Sequence, residues 1–295
     1  MVYKRFVSKL IIDKKRSKRK AVPELTRDKF ITSDNVSLDL IQNDPWEIKV
    51  IVVGIPTFLS TVSEFKDLCL ILEDQNIKFF SANFREHGWS GNCAALNLGT
   101  IIEDIKELVN QISIYYPNKQ IFLLGQGLGA QLAYYLAKEP PNIEGLIIAN
   151  PLESSSGINY MDYTYLTFTL EVIKFRHHLQ FINIRSVLPK IKRMTNNNSY
   201  EREMAELFQR RYIHGIPLKF IAQCRYLIEF FWSRIEQDIE DDNILLIQTK
   251  DDNYQEKKTK IKGCQEFLGN HLVFTDYIND EVILITTKWI KAKIK

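Results

Sequence analysis

A chain of 295 residues, 45% hydrophobic and 12% aromatic with a formal net charge of +3, is long enough to bury a substantial core: one large globular α/β domain carrying an insertion. Its four cysteines, Cys69, Cys93, Cys224 and Cys264, include no C-x-x-C pair, which argues against a disulfide framework and a zinc site and for a reducing compartment. No apolar run reaches the roughly 18 to 20 residues of a membrane span, and Lys9 breaks the N-terminal apolar stretch before it could serve as a signal-peptide core, so a cytoplasmic chain is expected.

Residues 1–22 stand apart as a basic tail. They hold nine Lys/Arg against Asp13 alone, a net of +8, which leaves −5 for residues 23–295. Tyr3, Phe6, Val7, Leu10 and Ile11 recur at helical spacing with Lys4, Arg5 and Lys9 between them, followed by the cluster Lys14 to Lys20. That is the pattern of a helix lying on an anionic membrane surface, with peripheral contact through residues 1–20. It is equally the pattern of an N-terminal helix packed on the body and followed by a solvated linker. Nucleic acid is not an expected partner, because no stacking aromatics interleave the charges.

From Lys29 the chain alternates strands and helices. Phe30 to Leu40 reads as a hairpin turning at Asp34-Asn35, and Lys49 to Gly54 as a buried strand of β-branched residues. Ser63 is placed to cap a helix that carries Phe65, Leu68, Cys69 and Leu72 on one face. Ile77 to Asn83 is the next strand, and Thr100 the expected cap of a long helix whose Ile101, Ile105, Leu108, Val109, Ile112 and Tyr116 keep the 3.6 period. Ile121 to Gly125 follows, then a helix from Leu128 to Lys138 stopped by Pro140-Pro141, then a strand from Ile143 to Asn150. Such alternation implies a mostly parallel sheet covered on both faces.

The segment Ile121-Phe-Leu-Leu-Gly-Gln-Gly-Leu-Gly-Ala130 organises the rest: an uncharged strand, a tight turn, a helix. Two devices share that outline. A nucleophile elbow, G-x-S-x-G, presents a hydroxyl from a strained turn above the sheet. A dinucleotide fingerprint, G-x-G-x-x-G/A, is met literally by Gly125, Gly127 and Ala130. The latter also wants an acid closing the strand after the helix, where this chain has Asn150-Pro151.

From about residue 24 onward the chain resembles the α/β-hydrolase family, in its monoacylglycerol lipase and lysophospholipase branch, of the serine aminopeptidase S33 type. Thr32-Ser-Asp-Asn-Val-Ser-Leu38 is similar to T-S-x-D-G-x-x-L, and Asn83-Phe-Arg-Glu-His-Gly-Trp-Ser90 to D-x-R-G-H-G-x-S. Tyr115-Tyr-Pro-Asn118 precedes the elbow strand as E-Y-P does, and Ile213-His-Gly-Ile-Pro217 resembles the stretch closing the lid. The resemblance implies an α/β-hydrolase fold with an inserted helical lid. Its divisions would be a hydrolase core over 23–152 and 236–295 and a lid over 153–235.

The same resemblance implies the site. Gly127 falls on the nucleophile position, where the family has Ser, so the attacking hydroxyl is missing. The oxyanion donors map onto the backbone of Leu128 and of Ile55 within Val53-Gly54-Ile55-Pro56, where Val53 and Pro56 replace the family's His and second Gly. Ile244 to Asp252 resembles the strand and turn that carry the acid, making Asp252 the match, with Asp251 beside it. Matching Asp280 to Trp289 to the final helix puts His271 on the base, only 19 residues after Asp252. If Glu256 to Leu268 is a helix and Leu272 to Phe274 the last strand, the base position falls near Asp280 and is empty.

Glycine relaxes the positive φ that an elbow imposes, so the fold is expected to survive the change while acyl transfer is not. The lid region carries aromatics from Tyr160 to Phe181 and Phe220 to Trp232 whose spacing suits packed core or an acyl pocket, and Asn196 to Ser199 reads as a loop between lid helices. Three functions stay open. One is an inactive hydrolase-fold protein that binds a lipid or acyl ligand or a partner. Another is an ester or lipid hydrolase with a different nucleophile, Ser60, Ser90 or Ser154 to Ser156. The third is a dinucleotide-binding protein. No cofactor or metal is implied: His87 belongs to the turn, His214 to the lid junction, and His177-His178 have no ligand spacing.

Overall fold

The computed structural model describes residues 9–10, 26–91, 96–139, 143–153, 181–183, 194–195, 197–210, 215–239, 241–250, 252, 263–275 and 280–294. In chain order the strands are β1 (Lys9–Leu10), β2 (Thr26–Ile31), β3 (Ser37–Gln42), β4 (Val50–Ile55), β5 (Ile77–Ala82), β6 (Ile121–Gln126), β7 (Gly145–Ala149), β8 (Phe181–Asn183), β9 (Gly215–Pro217), β10 (Ile244–Thr249) and β11 (Gln265–Phe267). The α-helices are α1 (Lys66–Asp74), α2 (Leu98–Tyr115), α3 (Leu128–Leu136), α4 (Asn198–Arg210), α5 (Leu218–Trp232), α6 (Ile235–Asp238) and α7 (Asp280–Ala292), with a 3-10 turn at Val62–Phe65 leading into α1.

Among the described residues the large sheet runs β1-β2-β3-β5-β4-β6-β7-β10-β11, antiparallel through β3 and β5 and parallel from there on. Why the central strands show no alternation in sequence is visible in the packing. Ile51, Val53 and Ile55 of β4 and Ile121 and Leu123 of β6 face the layer that holds α2, α3 and α5. Val50, Val52, Phe122 and Leu124 face the layer of α1 and α7. Strands buried on both sides, as β4 and β6 are, read as continuous apolar sequence without a charge.

Several local expectations are met and others corrected. The hairpin turns at Asp34-Asn35, with Asn35 at φ 65 and its N–H on the Thr32 carbonyl. Thr100 does not cap α2; the cap is Asn97, whose side chain accepts from the Gly99 N–H at 2.8 Å. Ser63 caps nothing either, and its hydroxyl instead donates to Glu203 of α4 at 2.7 Å. Asn198 and Ser199 lie in α4 rather than in a loop, because Asn197 accepts from the N–H groups of Ser199 and Tyr200 and so starts the helix there. Lys9 and Leu10 pair antiparallel with Ile31 and Phe30, so a strand completes the open edge of β2 where helical spacing suggested a helix. The rest of the basic tail lies outside the described residues.

Helix α5 packs on α3. Phe231 meets Tyr134 edge to face at 5.1 Å between ring centroids, Phe220 stacks on Phe58 at 4.8 Å, and the Trp232 indole N–H donates to the Leu152 carbonyl at 2.8 Å. These aromatics are therefore core, while Tyr226 points outward. Tyr160 to Phe175 and Ser154 to Ser156 lie outside the described residues. No helix among the described residues is long and apolar enough to cross a membrane.

Candidate active site

The sharp turn at the end of β6 is Gly127, at φ 57 and ψ −126, a backbone conformation that costs a residue with a Cβ roughly 1–3 kcal/mol. Its N–H donates to the Ala149 carbonyl and its carbonyl accepts from the Ala130 N–H, both at 3.0 Å, so the turn is fixed from β7 and from the first turn of α3. The flanking glycines serve a different need. A Cβ on Gly129 would lie 2.1 Å from the Ile55 carbonyl oxygen, and one on Gly125 would lie 2.1 Å from the Gly129 carbonyl oxygen. Helix α3 thus sits backbone to backbone against β4 and β6, which places its N-terminus over the crest of the sheet.

Asp252 and His271 meet at that crest. His271 Nδ1 and Asp252 Oδ2 are 2.8 Å apart, and the imidazole is fully buried. The last strand before His271 is β11, at Gln265–Phe267, and Leu272 to Phe274 form turns; the alternative register, which left the base position near Asp280, does not occur. Asn150, at φ 42 just past β7, ties the acid strand to the histidine loop: its amide donates to Thr249 Oγ1 at 2.9 Å and to the carbonyls of Asn270 and His271 at 3.2 and 2.9 Å. Its side-chain oxygen accepts from the Thr249 N–H at 2.8 Å. In the sequence Asn150 registered only as a missing acid.

The point from which a side chain at 127 would project is flanked by His271 and by a residue that the sequence did not single out. A Cβ there would lie 3.0 Å from His271 Nε2 but only 2.0 Å from the hydroxyl oxygen of Thr57. The same hydroxyl accepts from the Leu128 N–H at 3.2 Å. Thr57 is 1% exposed, so the donor expected to hold an oxyanion is met by a buried protein hydroxyl. Ile55, the other expected donor, ends β4 in register with Gly125, and its carbonyl is the one that Gly129 approaches. The only sequence signal for Thr57 was its place two residues beyond Ile55. The dinucleotide reading fares poorly here, because the space at the α3 N-terminus that a pyrophosphate needs is filled by Thr57 and His271.

The loop carrying Thr57 is anchored on both sides. His87 is buried with Nε2 accepting from the Leu59 N–H at 3.3 Å, so Nδ1 carries the proton and donates to the Arg85 carbonyl at 2.9 Å; burial holds its pKa down to about 4. His87 is thus structural, as the turn motif implied. Glu64 accepts from the Thr57 N–H at 3.1 Å and from the Ser60 hydroxyl, and Ser60 in turn contacts the Tyr200 hydroxyl of α4. Ser60 is therefore bound into this network, while Ser90 Oγ accepts from the Asp39 N–H on the far side of β3.

Burial pushes the Glu64 carboxyl up to about 8, against the opposing hydrogen bonds from the Ser60 hydroxyl and the Thr57 N–H. Unfolded, the same group ionises near 4.5. Between those values the folded chain holds the extra proton, so the stability contributed by Glu64 falls as pH rises from about 4.5 and levels off above about 8, a loss on the order of a few kcal/mol. Glu64→Gln keeps the shape and the acceptor but cannot ionise. Its melting temperature is expected to rise up to about pH 6.5, where the buried neutral His87 still opposes protonation, and then to stay level to about pH 8, while in the unaltered chain Glu64 offsets that rise and stability declines from about pH 6.5 to pH 8. Parallel declines would assign the titration to another group.

Among the described residues no group of three or more His, Cys, Asp or Glu is placed to hold a metal ion. His177, His178 and His214 lie outside the described residues, as does Asp251.

A mostly parallel sheet, a strand-turn-helix elbow at its crest and an Asp-His pair delivered from the following strands define an α/β-hydrolase fold. Residues 46–258 match the family model of the Hydrolase_4 hydrolases, described as serine aminopeptidase, S33, and the chain belongs to that family. A carboxyl esterase from Bacillus coagulans superposes with a TM-score of 0.70 over 92% of this chain and 99% of its own, at 14% identity. The monoglyceride lipase of Saccharomyces cerevisiae does so with a TM-score of 0.68 over 95% of this chain and 98% of its own, at 13% identity. In sequence, protein phosphatase methylesterase 1 of Candida albicans is 32% identical over 99 residues, which is 33% of this chain and 28% of the relative's length.

Proposed function

We propose that this hydrolase-fold protein holds an acyl or carboxylic-ester ligand, of the lipid kind, without turning it over by serine hydrolysis. One observation carries the reading. His271 Nδ1 and Asp252 Oδ2 stand 2.8 Å apart, and the residue at the turn beside them is a glycine. A base with no hydroxyl to deprotonate cannot form an acyl-enzyme, and what such a site retains is oxyanion contacts and binding. The ligand class follows from the relatives, since an esterase, a monoglyceride lipase and a methylesterase share a carboxylic ester as the bond their names describe.

A second reading, an active ester hydrolase with a substitute nucleophile, has one observation in its favour: the Thr57 hydroxyl oxygen and His271 Nε2 lie 2.0 and 3.0 Å from the same point, where a side chain at 127 would project. Incubating the full-length protein with a fluorophosphonate probe and with p-nitrophenyl butyrate separates the two. The expected result is neither adduct nor turnover above the buffer rate. Stoichiometric labelling, located by peptide mass spectrometry on any residue whose loss also abolishes turnover, would reject the proposed function in favour of the second reading.

A further inference from the structure

We propose that Thr57 is a built-in occupant of the acyl site: its hydroxyl fills the volume of the absent nucleophile and takes up the Leu128 N–H, so that in this conformation the elbow admits no substrate carbonyl. The inference rests on reading residues 125–129 as an elbow and goes beyond the missing serine, because it adds a second barrier at another position. A hydroxyl oxygen 2.0 Å from the Cβ point of residue 127 is far inside contact distance, so a serine there and the present Thr57 rotamer exclude one another. The oxygen is not idle filler. It satisfies one of the N-terminal N–H groups of α3, which would otherwise be buried without an acceptor.

What holds Thr57 inward is the lid side of the molecule. Its backbone N–H is gripped by Glu64, Glu64 by Ser60, and Ser60 by Tyr200 from α4, whose hydroxyl also accepts from the Thr61 N–H at 3.3 Å. Ser63 adds its bond to Glu203, one turn further along the same helix. Loop 57–63 and α4 are therefore clasped at two points, and withdrawing Thr57 from the elbow requires this clasp to loosen. An acyl ligand that approaches Leu128 competes with an intramolecular group already in place.

A double-mutant cycle on the full-length chain tests the occupant. The four proteins are the unaltered chain, T57A, G127S and T57A/G127S, compared by melting temperature and by rate of fluorophosphonate labelling. The backbone strain of a serine at 127 and its contact with the residue-57 Cβ, 2.8 Å from the same point, are common to both backgrounds and cancel, so what remains is its encounter with the Thr57 hydroxyl and methyl. G127S is expected to melt several degrees below the unaltered chain, and the same substitution in the T57A background to cost clearly less. Labelling of the introduced serine is expected to be at least about tenfold faster in T57A/G127S than in G127S, the arithmetic of about one and a half kcal/mol of barrier. Additive melting shifts, or G127S labelling as fast as the double variant, would overturn the occupant. Non-additive melting with no labelling in either serine variant keeps the occupant and removes instead the base-assisted site on which the proposed function stands. An adduct on Thr57 of the unaltered chain overturns both, since the hydroxyl is then a nucleophile.

Discussion

Gly129→Ala is expected to cost more than about 4 kcal/mol of folding stability, enough to abolish a cooperative unfolding transition in a marginally stable domain. The added Cβ would meet the Ile55 carbonyl oxygen at 2.1 Å, the Pro56 carbonyl oxygen at 2.5 Å and the Ile55 carbonyl carbon at 2.8 Å. None of these is the end of a flexible side chain. Ile55 is held in the parallel ladder opposite Gly125, so relief means moving the end of β4 or lifting α3 off the sheet. Ordinary overpacking by one methyl group costs roughly 1–3 kcal/mol because side chains re-pack, and here backbone must move. Urea denaturation followed by circular dichroism measures the effect. A midpoint within a few tenths molar of the unaltered chain would mean that α3 does not dock as described.

The second large effect is expected at Arg85. Its guanidinium donates to both oxygens of Asp104, at 2.6 and 2.5 Å, and to both oxygens of Asp34, at 2.6 and 2.9 Å, joining the β2–β3 turn to α2. The two partners differ. The Asp34 side chain is 56% exposed, and although Arg85 holds its carboxyl down to about 2, solvent screens that pair and it contributes little. Asp104 is buried with the arginine, and its own burial already raises its pKa. Arg85→Leu therefore leaves a buried carboxyl without its cation, which costs about 3–5 kcal/mol. The loss should grow as pH rises, because a neutral Asp104 is tolerated and an ionised one is not. Arg85→Leu/Asp104→Asn should recover much of it. Equal instability of single and double variants would assign the cost to lost packing of the arginine stem instead.

The central strands and the elbow were legible because their signals are local and one-dimensional: an uncharged apolar run, then glycines at fixed spacing, then helical periodicity. The family motifs carried the longer-range order, and His271 followed from counting back from the final helix; the structure places it 2.8 Å from Asp252, although only 19 residues separate them. The caps were misread at Ser63 and Thr100 because several polar residues near a helix start are chemically competent: Asn97, three residues before Thr100, caps α2 locally, and a tertiary contact draws Ser63 to Glu203. Thr57 and Asn150 were out of reach for a stronger reason. Each acts on residues about 70 to 120 positions away, through contacts that no local pattern encodes. Glu64 carries no mark of its burial in the sequence either; Tyr200 of α4, distant in the chain, packs against its neighbours Ser60 and Thr61.

The oxygen of Thr57 also bears on what mutation could make of this chain. A serine introduced at position 127 enters volume that is already taken, while trimming Thr57 alone opens a space that no nucleophile lines. On the proposed reading, neither step by itself gives a fast esterase. On that reading, the way from this chain to a fast serine hydrolase thus takes two substitutions, at positions 57 and 127, rather than one.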